Sequence, residues 1–237
     1  MSAMHIPQVL NSQELSVIRE ILANADWQCG KSTAGQQSVK VKHNQQLEEN
    51  NPVAEQARAI IMQALGRHAL FFTSALPKKI FPPMFNRYTE EQNYFGNHID
   101  NAVRTSRLGM WVRTDLSATL FLCNPDEYEG GELVIEDNLN SSSIKLSAGD
   151  MVLYPSTHVH RVEPVLSGAR IASFFWIESM VQNLQQRQLL LEMDLAINSL
   201  KNSLNNSNSK HTSGDDSQEV VRLTGCYHNL LRMWAQP

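Results

Sequence analysis

Apolar residues recur at helical spacing near both ends of the chain and in short strand-like runs between them. Near the start, Leu15, Ile18, Ile21 and Leu22 follow Asn11, and Glu14 completes a capping-box spacing, which predicts a helix over 12–24. A polar stretch over 30–51 follows. Ala57, Ile60, Ile61 and Leu65 then share one face and predict a second helix over 54–65. From Leu70 to about Glu178 the runs MFNRY, LSATLFL, GELVIE, MVLYP, HRVEPV and ARIASFFWI are separated by Gly, Asp, Asn and Pro clusters, the signature of an all-β segment. Glu129-Gly130-Gly131-Glu132 suits entry to a strand, and Ser147-Ala148-Gly149-Asp150 suits a tight turn before Met151. Beyond Ser179 the helical period returns through Met180, Leu184, Leu191, Leu195 and Leu200. Residues 202–217 are polar enough to read as a mobile linker, and Val220 to Trp234 recover an amphipathic pattern, so the tail reads as a helical hairpin.

The fold class expected is mainly β with helical additions, a jelly-roll core flanked by N-terminal helices and a C-terminal helical hairpin. Three regions follow: an N-terminal helical support over 1–69, a β core over 70–179, and a helical extension over 180–237 carrying the linker. The amphipathic tail suits a contact between copies in a homo-oligomer.

Composition narrows the function. With 42% hydrophobic and 19% charged residues the chain is of ordinary globular type, and a net charge of −4 argues against nucleic acid or an anionic membrane as partner. No window approaches the apolar length of a membrane span, and the N-terminus lacks the pattern of a signal peptide. Three scattered cysteines without C-x-x-C argue against a disulfide framework and a thiolate zinc site, and fit a reducing cytoplasm.

The chemistry gathers in two places. In Asn97-His98-Ile99-Asp100 an imidazole and a carboxylate sit two positions apart, which in extended backbone directs both to one face. Downstream, Thr157-His158-Val159-His160-Arg161 supplies a further imidazole, with Arg170 on the last apolar run. Two histidines and one carboxylate make the facial triad of non-haem Fe(II) oxygenases, which leaves positions open for a chelating co-substrate and dioxygen. A guanidinium fork in Arg170 suits a distal carboxylate, so the set predicts a small dicarboxylate chelator. Spacing alone does not choose between His158 and His160, which share a strand face. His5, His43, His68, His211 and His228 have no partners at metal spacing and read as structural or surface residues. Arg87, Arg104, Arg107 and Arg113 near the mouth suit either an anionic substrate or plain solvation.

These stretches, with Phe85-Asn86-Arg87-Tyr88, Arg113-Thr114-Asp115-Leu116-Ser117, Tyr128-Glu129-Gly130-Gly131-Glu132-Leu133, Gly168-Ala169-Arg170 and Tyr227-His228-Asn229-Leu230-Leu231, resemble the PKHD-type hydroxylases of the 2-oxoglutarate and Fe(II)-dependent oxygenase superfamily, relatives of the prolyl 4-hydroxylases. The resemblance implies a double-stranded β-helix core and Fe(II) held by His98, Asp100 and His160. It also implies 2-oxoglutarate on Arg170, with Tyr88 hydrogen-bonding the co-substrate. His160 rather than His158 is the third ligand by this likeness, leaving His158 as a rim residue or an alternative ligand. Hydroxylation of an unidentified prime substrate by O2, with succinate and CO2 as products, is the implied reaction, with L-ascorbate as reductant and a link to bacterial iron metabolism as context. The small hydroxyl residue often found two positions after the arginine is Ala172 here, with Ser173 one later. Two rivals remain at this stage: a non-catalytic iron-binding jelly-roll sensor, and an interaction protein working through its helical tail.

Overall fold

Asn11 starts helix α1 (Ser12–Ala23) through a reciprocal cap: its side-chain oxygen accepts from the Glu14 N–H at 2.9 Å, and the Glu14 carboxylate accepts from the Asn11 N–H at 3.0 Å. Helix α2 (Pro52–Arg67) begins two residues earlier than its apolar face suggested, because Asn51 caps it and Pro52 occupies the first helical position, where a missing N–H costs nothing. The computed structural model describes residues 3–33, 38–137, 140–206 and 217–237. They divide into two units, Met1–His68 with Lys79–Glu178, and Ala69–Lys78 with Ser179–Pro237.

In the first unit two antiparallel sheets supply the frame. The larger runs in the order Met4–Ile6, Met151–Pro155, Leu116–Phe121, Arg170–Ser179, Met84–Tyr88, Gln45–Gln46, Gln28–Cys29. The smaller runs Ser141–Ile144, Leu133–Glu136, Val159–Val162, Tyr94–His98, Lys42–His43. Tyr88, Phe121, Val152 and Tyr154 of the larger sheet meet Leu133, Ile135 and Val162 of the smaller in one buried cluster, the inner layer of a sandwich. The period of two is plain in Val152/Tyr154 and Leu133/Ile135. Leu116–Phe121, paired on both edges, is buried at every position, the hydroxyl residues Ser117 and Thr119 included.

Turn chemistry sets the register. At Gly149 (φ +92°) the chain reverses as the Ser147-Ala148-Gly149-Asp150 spacing predicts, with the Asp150 N–H donating to the Ser147 carbonyl. The run HRVEPV is two strands, Val159–Val162 and Val165–Gly168, because Pro164 has no N–H to offer a ladder. The Pro164 carbonyl accepts from the Gly131 N–H instead.

The second unit is helical: α3 (Ala69–Ala75), α4 (Leu184–Asn206) and α5 (Gln218–Trp234) surround Leu76, Val181, Leu190, Ile197, Val220 and Tyr227. Buried Arg187 closes the entry to α4 by donating to the carbonyls of Val181 and Gln182 at 2.6 and 2.8 Å. No described helix is long and apolar enough to cross a membrane.

Three elements differ from the sequence reading. Leu70–Ala75 is helical rather than β, with the Ser74 hydroxyl turned back onto the Leu70 carbonyl at 2.6 Å. Residues 1–69 are not helical support alone: Met4–Ile6, Gln28–Cys29, Lys42–His43 and Gln45–Gln46 extend both sheets, pairings too short for a periodic signal. Of the expected linker, 202–206 complete α4, where Leu204 packs against the helical cluster, and 207–216 lie outside the described residues.

Gly130 (φ +71°) adopts a left-handed conformation, and a Cβ there would lie 2.1 Å from the Pro164 carbonyl oxygen. We expect Gly130→Ala to destabilise by at least about 2 kcal/mol, combining left-handed strain with a backbone clash. Gly225, inside α5 with open space around it, is the opposite case: alanine there should stabilise by about 0.5–1 kcal/mol, both effects being read by urea denaturation.

Candidate active site

The strand Tyr94–His98 lies beside Val159–Val162, and the register places His98 directly across from His160. Their ring centroids are 4.1 Å apart, and Asp100, just past the strand end, brings its Oδ2 to 3.7 Å from His160 Nε2. One ligand atom from each of His98, Asp100 and His160 falls within 4.8 Å of the others.

Both imidazoles are held by the same local device. His98 Nδ1 lies 2.8 Å from the Gly96 carbonyl and His160 Nδ1 lies 3.1 Å from the His158 carbonyl, each two residues upstream. A carbonyl only accepts, so in each ring Nδ1 carries a proton and Nε2 is the nitrogen left to face the cluster. His98 also stacks on Phe95 at 3.6 Å between centroids. Burial, then the neighbouring His160, lowers its pKa to about 4, so His98 is neutral near pH 7, as a ligand must be. The carboxylate is held just as closely: Ser117 Oγ donates to Asp100 Oδ2 at 2.6 Å and in turn accepts from Ser156 Oγ at 2.7 Å. Since the single Ser117 proton goes to Asp100, Ser156 must be the donor in the second bond.

Arg170 opens the strand Arg170–Ser179 opposite Tyr88 and is 1% exposed. Its guanidinium lies 5.3 Å from the ring centres of both Tyr88 and Phe121. None of its three side-chain nitrogens finds a hydrogen-bond acceptor among the described residues. The Tyr128 hydroxyl is likewise buried without a partner. A buried, unpaired cation costs several kcal/mol, so this position is built for an anion supplied from outside. Its stem passes over Gly131, where a Cβ would sit 3.1 Å from Arg170 Cδ. Ser173 does not support the guanidinium, since its hydroxyl donates to the Met84 carbonyl at 3.0 Å. Arg170, Tyr88, His98, Asp100 and His160 line one cavity. Burial raises the Tyr88 pKa and keeps its hydroxyl protonated.

His158 stays outside both the three-residue cluster and the cavity wall. The alternation that paired it with His160 does not reach it, because the strand begins at Val159 and His158 closes the preceding turn. Its contribution to the cluster is its carbonyl. His5 bonds Asp150 at 2.8 Å, His68 bonds the Pro7 carbonyl at 2.9 Å, His43 stacks on Tyr94 and His228 lies edge-on to Tyr227, while His211 lies outside the described residues. Of the four arginines near the mouth, Arg104 lines the cavity, Arg87 donates to Gln45, Arg113 pairs with Asp115, and Arg107 is exposed.

Sequence reasoning missed Lys42, Asn44 and Gln46, which also line the cavity, and the Ser117–Ser156 pair behind Asp100. The first three left no signal, since Lys42 to Gln46 are all polar and no contrast marks which of them face inward. For the two serines there was none, because strand pairing alone brings position 156 to 117.

Comparison with known proteins extends this picture. The profile of the 2OG-Fe(II) oxygenase superfamily matches residues 83–178, and that of the PKHD-type hydroxylase C-terminal domain matches residues 185–236. Among solved structures, the fold is similar to the non-heme alpha ketoglutarate dependent carbocyclase SnoK from nogalamycin biosynthesis (TM-score 0.54, 14% identity, 76% of this chain and 81% of that one). It is also similar to a prolyl hydroxylase from Trichoplax adhaerens (TM-score 0.52, 12% identity, 80% of this chain and 86% of that one). These likenesses establish the jelly-roll frame. Curated relatives carry more: a PKHD-type hydroxylase of Saccharophagus degradans is 52% identical and one of Variovorax paradoxus 53% identical, each over 98% of both chains. By these matches the chain belongs to the PKHD-type hydroxylases, Fe(II)- and 2-oxoglutarate-dependent dioxygenases of the 2OG-Fe(II) oxygenase superfamily.

Proposed function

We propose that His98, Asp100 and His160 hold the iron, that Arg170 and Tyr88 hold the far carboxylate of 2-oxoglutarate, and that the enzyme hydroxylates a C–H bond of a prime substrate admitted to the same cavity. The observation that carries this reading is the pairing of two tethered imidazoles and a carboxylate with a buried guanidinium that has no acceptor of its own among the described residues. The donor set, two nitrogens and one oxygen on adjoining strand ends, fits ferrous iron and leaves room for a chelating co-substrate. Iron so held, with 2-oxoglutarate and O2, supplies the oxidant that hydroxylates the substrate as the co-substrate is converted to succinate and CO2.

The residues of the chain have separate tasks. The carbonyls of Gly96 and His158 fix the ring orientations of His98 and His160, so no reorganisation is needed when the metal enters. Ser117 and Ser156 fix one oxygen of Asp100. Arg170, gripped between Tyr88 and Phe121, sets the orientation of the co-substrate, and Tyr88 offers a protonated hydroxyl to the same group. A bare iron sensor has no use for such a cage, which favours the enzyme over a non-catalytic relative. Ascorbate serves as the external reductant that keeps iron ferrous. A role in bacterial iron metabolism rests on the family likeness, and an unchanged growth of a deletion strain under iron limitation would remove it.

The ligand assignment is tested by anaerobic titration of 2-oxoglutarate into the Fe(II)-loaded protein, watching the visible metal-to-ligand charge-transfer band. Wild type and His158→Ala should both show it, while His98→Ala and His160→Ala lose it. Arg170→Ala should require roughly a hundredfold more co-substrate, the scale for removing one partner of a buried ion pair. A band that survives in His160→Ala but vanishes in His158→Ala would reverse the choice of third ligand. Ser117→Ala tests the support behind Asp100: iron affinity should fall by about 10–100-fold with the fold intact, the range for outer partners of metal ligands. An unchanged affinity in a metal-competition assay would remove that role.

A further inference from the structure

Arg170 and Tyr88 are partners across neighbouring strands of the larger sheet, and the register carries their row further. Gln46 faces Asn86 and Gln45 faces Arg87, so Asn44, just before that short strand, falls opposite Tyr88. Cys29 faces Gln45 in turn, which sets Gly30 beside Asn44, and the Gly30 N–H donates to the Asn44 carbonyl at 2.8 Å. Arg170, Tyr88, Asn44 and Gly30 therefore stand side by side, and the three that carry side chains line the cavity. Asn44 lies outside the stretches 83–178 and 185–236 that the two family profiles match.

Asn44 is 1% exposed, and neither atom of its amide closes a hydrogen bond to a described residue. A buried amide left open costs free energy that a ligand or a neighbour has to recover. Gly30 decides which way this amide lies: a Cβ there would sit 2.0 Å from Asn44 Oδ1, so the amide oxygen fills the place of the missing side chain. Nδ2 is the atom left on the Tyr88 side. Burial raises the Tyr88 pKa, and Arg170 and then Asn44 oppose that rise. An amide has this effect only as a donor, because it favours the phenol oxygen with its proton gone.

A phenol has one proton to give, and its oxygen can accept as well. A carboxylate on Arg170 gains from Tyr88 only when that proton points at the carboxylate, and a donor behind the oxygen enforces this direction. We propose that Asn44 is a positioning residue for the co-substrate: its Nδ2 donates to the Tyr88 oxygen when 2-oxoglutarate binds, so that the Tyr88 proton goes to the carboxylate held by Arg170. The inference rests on the hydroxylase reading of the cavity. It gives the row a division of labour: Arg170 supplies charge, Tyr88 the proton, Asn44 the direction of that proton, and Gly30 the space that orients the amide.

The test is a double-mutant cycle on the full chain loaded with Mn(II), in which 2-oxoglutarate is titrated calorimetrically into wild type, Asn44→Leu, Tyr88→Phe and the double variant. Asn44→Leu should weaken binding by about three- to tenfold, the scale of one neutral hydrogen bond, and Tyr88→Phe by about tenfold or more. The double variant should bind within about twofold of Tyr88→Phe alone, because Asn44 acts only through the hydroxyl. A spectroscopic readout accompanies the cycle: in the ultraviolet resonance Raman difference between each protein and its Tyr88→Phe counterpart, with 2-oxoglutarate bound, the tyrosine Fermi doublet should report a hydroxyl that donates and accepts in wild type but only donates in Asn44→Leu. If Asn44→Leu does not fold, Asn44→Ala, which removes the amide without filling its place, carries the same cycle. An Asn44 variant that binds 2-oxoglutarate as wild type does, or losses that multiply in the double variant, would overturn the positioning role alone. Wild type that fails to bind 2-oxoglutarate, or Tyr88→Phe that binds it unchanged, would overturn the reading of the anchor, and this inference with it.

Discussion

A charge held away from water without a counter-ion is the constraint on which this structure turns. Arg170 is 1% exposed, flanked by the rings of Tyr88 and Phe121, and its nitrogens find no acceptor among the described residues. Aromatic faces recover part of the lost hydration but do not replace an anion. The surroundings are shaped to tolerate this: Gly131 gives the stem room and the Tyr88 register fixes the base of the side chain. The sandwich core, which contributes both flanking rings, holds them in position through the dense packing of the whole cluster.

At the opposite chemical pole of the cavity sits a donor set ordered by the protein's own hydrogen bonds. His98 and His160 face each other across neighbouring strands, and each is tied through Nδ1 to a carbonyl two residues back. The repeated device means that strand pairing alone sets both the spacing and the tautomer. Asp100 completes the set from the chain leaving the strand, and behind it stand Ser117, from the strand Leu116–Phe121 of the other sheet, and Ser156, from the turn just past Met151–Pro155. The candidate donor set and the buried guanidinium are thus brought together by one sandwich: the imidazoles belong to the smaller sheet, and Arg170, Tyr88 and Ser117 to the larger.

Much of this was legible in the chain, and the gaps have physical causes. Capping residues such as Asn11 and Glu14, the apolar runs of the core strands and the turn at Gly149 are local signals, and the elements follow them. The H-x-D pair was legible as chemistry because an imidazole and a carboxylate stand within three residues. Spacing alone left His158 beside His160 as an alternative, and alternation does not carry it to the same face, because the strand begins one residue later. Leu70–Ala75 misled because a short apolar run reads equally as helix or strand. Lys42, Asn44 and Gln46 left no trace, because period-two reading needs apolar residues to contrast with polar ones and residues 42–46 are all polar. The serine pair and the rings around Arg170 come from positions far apart in sequence, so only the three-dimensional pairing brings them together.

The most direct measurement compares the unfolding free energy of wild type and Arg170→Met, each loaded with Mn(II), with and without 2-oxoglutarate at about a hundred times its wild-type Kd. If the guanidinium awaits its anion, the methionine variant is at least as stable as wild type without co-substrate, since apolar replacement of a buried ionic group is often neutral or stabilising. Addition of 2-oxoglutarate then stabilises wild type by about 2.7 kcal/mol and the variant by almost nothing. A variant that loses several kcal/mol before any co-substrate is added, or that responds to it as fully as wild type, would contradict the account.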